Sequence, residues 1–237
     1  MSFDKFVRAI LDRTLVPVAA YVKTRTWIGP SVIDELHLRS IADSADYAAQ
    51  HMADALTFKT REALWDFALA RIPPEGLCAE FGVWNGHSIS HFARRLGGRR
   101  IFGFDSFEGL QEDWAGAGCP KGTFDRGGAL PPVEPNVTLV KGWFDATLPG
   151  FLAANPGPFA FVHVDCDTYP AAKAMFAEIG PRIAPGTVLV FDEYFGYRGW
   201  RKGEHRAWRE FADAARVRAD YIGFSHQQVA LVVRSVG

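Results

Sequence analysis

The sequence predicts an α/β fold built on a mostly parallel sheet, and three features of its patterning carry that expectation. From residue 77 onward, short apolar runs each end in a turn and lead into helical periodicity, as strands joined by crossover helices do. Two further runs, 220–224 and 228–234, are separated only by the polar break Ser225 to Gln227, which reads as an antiparallel hairpin at the end of the sheet. The first strand leaves through Glu80-Phe-Gly-Val-Trp-Asn-Gly-His-Ser88, a glycine turn that lets backbone approach a ligand closely.

The elements follow in order. Phe3, Phe6, Val7, Ile10 and Leu11 recur at helical spacing and predict an amphipathic helix that Pro17 ends or bends. With few basic residues opposite it, this stripe suits packing or a dimer contact rather than a membrane surface. A second helix is expected between Ser40 and Leu56. A third is expected from Thr60 to Ile72, where Leu64, Phe67, Ala68 and Ile72 share one face and Pro73-Pro74 stops the chain. Strands are expected at 77–81, 100–104, 137–140, 159–164 and 187–191, with helices at 88–96, 170–180 and 204–216 among the connections. Phe107 to Pro135 is rich in Gly and Pro with Trp114 and Phe124 embedded; so long a loop inside a compact domain points to function or disorder. The organisation expected is a helical extension, 1–57, serving as lid or dimer contact, ahead of one α/β domain, 58–237.

Composition narrows the partners. The 237 residues suffice for one well-buried α/β domain, and 26 Lys plus Arg against 27 Asp plus Glu leave no global field to hold nucleic acid or an acidic membrane. A small-molecule partner is expected. Three cysteines, Cys78, Cys119 and Cys166, are odd in number and in no metal-ligand spacing, which fits a reducing cytoplasm. No apolar run approaches the roughly 20 residues of a membrane span, and the charged N-terminus lacks a signal-peptide core.

The chemistry begins at the first strand. Gly82 and Gly86 permit a sharp turn, the helix that follows offers free amides to a carboxylate or phosphate, and Ser88 adds a hydroxyl. Glu80 is placed to accept hydrogen bonds from a cationic amine. That group belongs to the methionine part of S-adenosylmethionine and is missing from a nicotinamide dinucleotide, whose GxGxxG spacing this loop also lacks. The next strand ends in Asp105-Ser106, where an acid beside the glycine loop can accept ribose hydroxyls.

These residues carry a resemblance. Glu-x-Gly-x-Trp-x-Gly-x-Ser, Asp-Ser-Phe-Glu-Gly-Leu and the later Asp-Glu-Tyr look like the macrocin O-methyltransferase family of class I methyltransferases, over roughly residues 58 to 234. The resemblance implies a Rossmann-like fold with a seven-stranded sheet and terminal hairpin, S-adenosyl-L-methionine as methyl donor, and transfer to a hydroxyl, often on a sugar. More distantly the chain is similar to catechol O-methyltransferase, whose cofactor loop matches Glu80, Gly82, Trp84, Gly86 and Ser88. That likeness extends to Gly142-Trp-Phe-Asp-Ala-Thr-Leu-Pro149 and implies that Trp143 and Phe144 border the adenine; Asp145 stands where the catechol enzyme has a glutamine.

An acidic cluster supplies the second half. Asp165-Cys-Asp167 ends one strand and Asp192-Glu193 the next, and carboxylates converging there would repel without a cation, a proton or a basic group among them. Magnesium suits all-oxygen ligands. Resemblance to metal-dependent relatives implies ligands at Asp165, Asp192 and Glu193; without metal, the same acids would cap helices or pair with Arg198 and Arg201. The lysine that the catechol enzyme places three residues after its first metal acid is Thr168 here. Asp165 or Asp167 is then the candidate proton acceptor, with His205 a weaker one. His163 alternates into a strand interior as a core residue, and His87 with His91 lacks a third zinc ligand. The aromatic and basic stretch Tyr194 to Arg206 is expected, with 107–135, to form an acceptor-binding lid.

The function expected is a metal-assisted O-methyltransferase acting on a sugar or glycosylated small molecule, with no nucleic-acid or membrane partner and with the N-terminal stripe hinting at a homo-oligomer. Two alternatives stand beside it. One is a nucleotide-sugar glycosyltransferase using Asp165-Cys166-Asp167 as metal site; the other is a non-catalytic subunit that binds cofactor.

Overall fold

The computed structural model describes residues 31–237, so the expected helix around residues 3–11 lies outside the described residues. Of the described residues, 31–39 fall in one unit and Ser40–Gly237 in a second. In the first, Ser31 and Asp34 exchange hydrogen bonds as a capping box, with Ser31 Oγ donating to Asp34 Oδ2 at 2.8 Å and the Asp34 amide donating back at 3.1 Å.

The second unit holds the sheet. Helix α1 (Val32–His51) continues into it from residue 40 and leads to a short strand, β1 (Leu56–Thr57). Then follow α2 (Arg61–Leu69), β2 (Leu77–Phe81), α3 (His87–Arg95), β3 (Ile101–Asp105) and β4 (Val137–Lys141). The remainder is α4 (Phe144–Ala154), β5 (Phe159–Val164), α5 (Tyr169–Ile179), β6 (Val188–Phe191), α6 (Glu204–Ala214) and the hairpin β7 (Arg218–Phe224) and β8 (Val229–Ser235).

The strands form one sheet in the order β1-β7-β8-β6-β5-β2-β3-β4. All neighbours run parallel except β8 against β6 and β7. This is the mostly parallel Rossmann-like arrangement with a terminal hairpin that the pattern predicts, with one correction. The sheet has eight strands, not seven, because Leu56–Thr57 pairs parallel with the hairpin edge at Gly223 and Phe224. Two residues are too short to show a period of two, so nothing in the sequence announces them.

Helix α4 was not among the helices expected. Pro149 and Gly150 sit inside it and obscure its periodicity, while burial of Leu148 and Leu152 against the sheet supplies the stability that propensity withholds. Residues 40–51, assigned from sequence to the extension, pack within the second unit: Ser44 Oγ accepts the Gly196 amide at 2.9 Å, and Tyr47 meets Tyr221 hydroxyl to hydroxyl at 2.8 Å.

The sheet is buried on both faces, as a parallel sheet must be. Phe81, Phe104, Val162, Val164, Leu189 and Phe191 pack on one side, and Cys78, Ile101, Phe161, Val188 and Val190 on the other. Backbone bonds continue past the strand ends: the amides of Gly82, Asp165, Asp192 and Gly142 donate to Phe104, Phe81, Val164 and Asp105 at 2.9 Å each. The exits of β2, β3, β5 and β6 are thus held at one edge, where open α/β sheets bind ligands.

Candidate active site

A cleft of about 600 Å³ lies along that edge, a volume suited to a ligand of cofactor size. The glycine loop forms one wall. Gly82 has φ +92°, and a Cβ there would lie 1.6 Å from the Asp165 carbonyl oxygen, so only glycine lets the exits of β2 and β5 come this close. Trp84 takes φ +45°, unusual for a bulky residue, and Asp105 holds it there. Asp105 Oδ2 accepts the amides of Val83 at 2.8 Å and Trp84 at 2.7 Å, and Oδ1 accepts the Phe107 amide at 2.7 Å. Asp105 lines the cleft, but three backbone donors occupy most of its roughly four lone-pair sites, so its first task is to fix the loop.

Gly86, at φ +80°, caps α3, and its Cα faces Val133 and Pro132 rather than the cleft. The α3 amino end presents His87 and Ser88 to the cleft. Glu80, expected to receive a ligand amine, is wholly buried and stands behind Ser88, whose hydroxyl donates to Glu80 Oε1 at 2.6 Å. Burial pushes the Glu80 carboxyl well above its ordinary range, against the opposing effect of the Ser88 bond. His163 lies between Glu80 and Asp192 at 3.7 and 3.9 Å. Burial lowers its pKa to about 4, so it is neutral at physiological pH and neither approach is an ion pair. This agrees with the core role expected for His163.

On the β4 side, Gly142, Trp143, Phe144 and Asp145 line the cleft, as does Ser106. The 107–135 loop is ordered by bridges between Glu108 and Asp125 and between Trp114 and Cys119. It contributes Gly109 to Glu112, Trp114 and Phe124 to the cleft, and Phe124 meets Trp84 edge to face at 5.3 Å.

The 194–206 stretch does not act as expected. None of its residues lines the cleft; Tyr194, Phe195, Tyr197 and Trp200 are core residues that support the wall from behind, with Tyr197 against Trp114 at 5.6 Å. Arg198 donates to the Ala115 carbonyl and Arg201 forms a bidentate pair with Asp43, so neither neutralises the acids. His205 is buried away from the cleft, and burial together with Arg201 lowers its pKa to about 3, which removes it as a proton acceptor.

The acids converge beside the glycine loop, at the exits of β5 and β6. One oxygen from each of Asp165, Asp167 and Glu193 lies within 4.8 Å of the others. Burial, followed by neighbouring carboxylates, pushes Asp165 and Glu193 well above the usual range and raises Asp167 to about 7. Glu193 Oε2 is buried without a hydrogen-bond partner. Such a set fits a hard divalent cation, which would supply the missing counter-charge. It differs from the expected Asp165, Asp192 and Glu193. Asp192 lines the cleft but turns Oδ2 toward Arg61, 3.5 Å away, because Arg61 at the start of α2 is the cation nearest to it.

One contributor escaped sequence reasoning. Glu204 is wholly buried, and its Oε1 accepts the amides of Cys166 at 3.0 Å and Asp167 at 3.1 Å. These bonds hold the turn in which Asp167 takes φ +64° and aims its carboxyl at Asp165. An acid opening a helix reads as dipole compensation, so only tertiary placement reveals its role.

Comparisons with known proteins agree with this fold. Residues 79–194 match the family model described as a methyltransferase domain. The chain is 30% identical over 145 residues to the 8-demethyl-8-(2,3-dimethoxy-alpha-L-rhamnosyl)-tetracenomycin-C 4'-O-methyltransferase of Streptomyces olivaceus, a match spanning 50% of this chain and 53% of that protein. The chain thus aligns with about half the length of that relative. The crystal structure of the calicheamicin methyltransferase CalS11 is similar with a TM-score of 0.55 and 27% identity, covering 71% of this chain and 77% of that one. The O-methyltransferase NovP shares the fold with a TM-score of 0.54 at 19% identity, covering 74% of this chain and 79% of its own. The parallel sheet, the terminal hairpin and the glycine-turn cleft give the chain the Rossmann-like methyltransferase fold, and residues 79–194 are similar to a methyltransferase domain.

Proposed function

We propose that this chain is an S-adenosylmethionine-dependent O-methyltransferase, assisted by magnesium, that methylates a hydroxyl of a sugar or glycosylated small molecule. The observation that carries the reading is the presence, in one cleft, of an Asp105-pinned glycine loop and the convergent acids Asp165, Asp167 and Glu193. The relatives support the acceptor class: one is a 4'-O-methyltransferase of a rhamnosyl tetracenomycin and another a calicheamicin methyltransferase.

In this reading Gly82, Trp84, Ser88, Asp105 and Ser106 receive the amino-acid and ribose parts of the donor, while Gly142, Trp143 and Phe144 border its adenine. Glu80 and Gly86 act from behind, by fixing Ser88 and the start of α3. Methyl transfer is an in-line displacement at a carbon already activated by the sulfonium, so the protein's task is alignment and removal of the acceptor proton. Asp165 and Glu193, with Asp192 or Asp167 beside them, are the residues that would hold magnesium, which when bound lowers the proton affinity of a hydroxyl next to it. Asp167, beside Asp165 and Glu193 in the cluster, is the carboxylate placed to take that proton. The Trp84 and Phe124 pair and Trp114 offer ring faces to a sugar.

The same reading places the protein in a reducing compartment, the cytoplasm, consistent with three unpaired cysteines; among the described residues no helix is long and apolar enough to cross a membrane. Calorimetry with S-adenosylhomocysteine tests the donor assignment. Saturable binding is expected. No detectable heat, together with stabilisation by a nucleoside-diphosphate sugar, would turn the assignment to a glycosyltransferase.

A further inference from the structure

The cleft is lined by Asp105, Glu112, Asp145, Asp165, Asp167, Asp192 and Glu193, and among its described lining residues the only Arg or Lys is Arg61. An acid-rich cleft attracts a sulfonium and an ammonium group. It repels a carboxylate, and the donor proposed above carries one on its amino-acid end. That carboxylate needs a place where the local field is reversed.

Arg61 supplies one. It sits in the first turn of α2, beyond the Thr60 cap, with its guanidinium 5.0 Å over the ring of the fully buried Trp65. Its two polar contacts are both long: Nε to Glu62 Oε1 at 3.4 Å and one terminal nitrogen to Asp192 Oδ2 at 3.5 Å. Guanidinium has five N–H groups, so these contacts orient it without exhausting its donors. Its side chain is 41% exposed and borders the cleft together with His87 and Ser88 at the α3 amino end. In the sequence Arg61 stands only at the start of a helix-patterned stretch.

We infer that Arg61 is the anchor for the carboxylate of the methyl donor's amino-acid moiety, acting with Ser88 and the α3 amides, and that it selects an intact amino-acid tail over a decarboxylated one. Asp192 orients the guanidinium, and Trp65 supports it from below. The inference rests on the methyl-donor reading but makes its own claim, because that reading gives Arg61 no part in holding the donor.

The test compares S-adenosylhomocysteine with decarboxylated S-adenosylhomocysteine, which keeps the thioether, adenosine and amine and lacks the carboxylate. Calorimetry is run on the unsubstituted chain, R61Q and R61K, with thermal melting to establish that each variant is folded. Loss of a charge-assisted pair should weaken S-adenosylhomocysteine binding to R61Q by about 10- to 100-fold while leaving the decarboxylated ligand within about threefold. R61K, which keeps the charge without the planar fork, should fall between. Equal weakening of both ligands, or of neither, overturns the anchor. Failure of the unsubstituted chain to bind S-adenosylhomocysteine overturns the methyl-donor reading itself, and this inference with it.

Discussion

Replacing Asp105 by asparagine probes the bond set on which the glycine loop rests. The carboxylate accepts the amides of Val83 and Trp84 at one oxygen and that of Phe107 at the other. Asparagine offers one carbonyl oxygen, and its amino group must then face an N–H. Keeping the oxygen toward Val83 and Trp84 exchanges two charge-assisted bonds for neutral ones, at about 1 kcal/mol each, and leaves the Phe107 amide opposed, at about 1 kcal/mol more. Asp105 is only partly buried, so water takes up some of the freed capacity and roughly 3 kcal/mol is the upper figure. For a chain of this length that corresponds to a melting temperature lower by roughly 6 to 12 °C. Urea unfolding and calorimetry with S-adenosylhomocysteine read the two consequences. Both stability and affinity should fall, because the Trp84 backbone loses the acceptor that holds it at positive φ. An Asp105→Asn chain that melts and binds like the parent would refute the view that this carboxylate organises the loop.

Three further outcomes follow from the same geometry. Gly82→Ala must place a Cβ on the Asp165 carbonyl at a positive φ, so β2 and β5 have to separate; a loss of about 3 to 5 kcal/mol and of cofactor binding is expected in chemical denaturation, and a near-native midpoint would contradict it. Glu204→Ala strands two buried amides and should cost about 2 to 4 kcal/mol and most of the turnover, whereas Glu204→Gln keeps an acceptor and should spare stability; equal effects of the two would remove Glu204 from the support of the Asp167 turn. Asp167, at about 7 when folded against 3.8 ordinarily, binds a proton more tightly in the native state. Its contribution therefore opposes stability increasingly as pH rises from about 4 to about 7. His163 and His205, depressed from 6.5 to about 4 and about 3, work in the other sense: the unfolded chain takes up their protons first, so stability falls as pH drops from about 6.5 toward about 4 and about 3. Millimolar magnesium should accordingly raise the melting temperature clearly at pH 8 and little at pH 5, where Asp167 is protonated; a shift independent of pH would argue against the acidic cluster as the cation's site.

The sequence by itself determined the sheet, its terminal hairpin, the glycine loop and the acids at the strand ends. Each is written in a short window: strand runs between turns, Gly82 and Gly86 in the turn after the first strand, Asp105 and Asp165 at the last residue or just past the end of an apolar run. The two-residue strand β1 and the proline-bearing α4 were invisible because partners elsewhere in the chain stabilise them. Only the tertiary structure decided how the acids are used. It turned Asp192 toward Arg61, put Asp167 beside Asp165 and Glu193, sent Glu80 behind Ser88, and withdrew the ring-rich 194–206 stretch from the cleft into the core. The physical reason is that a carboxylate's partner is chosen by proximity and burial. Glu204 meets the amide of Cys166 across 38 residues of chain, a distance over which no sequence period or motif carries a signal.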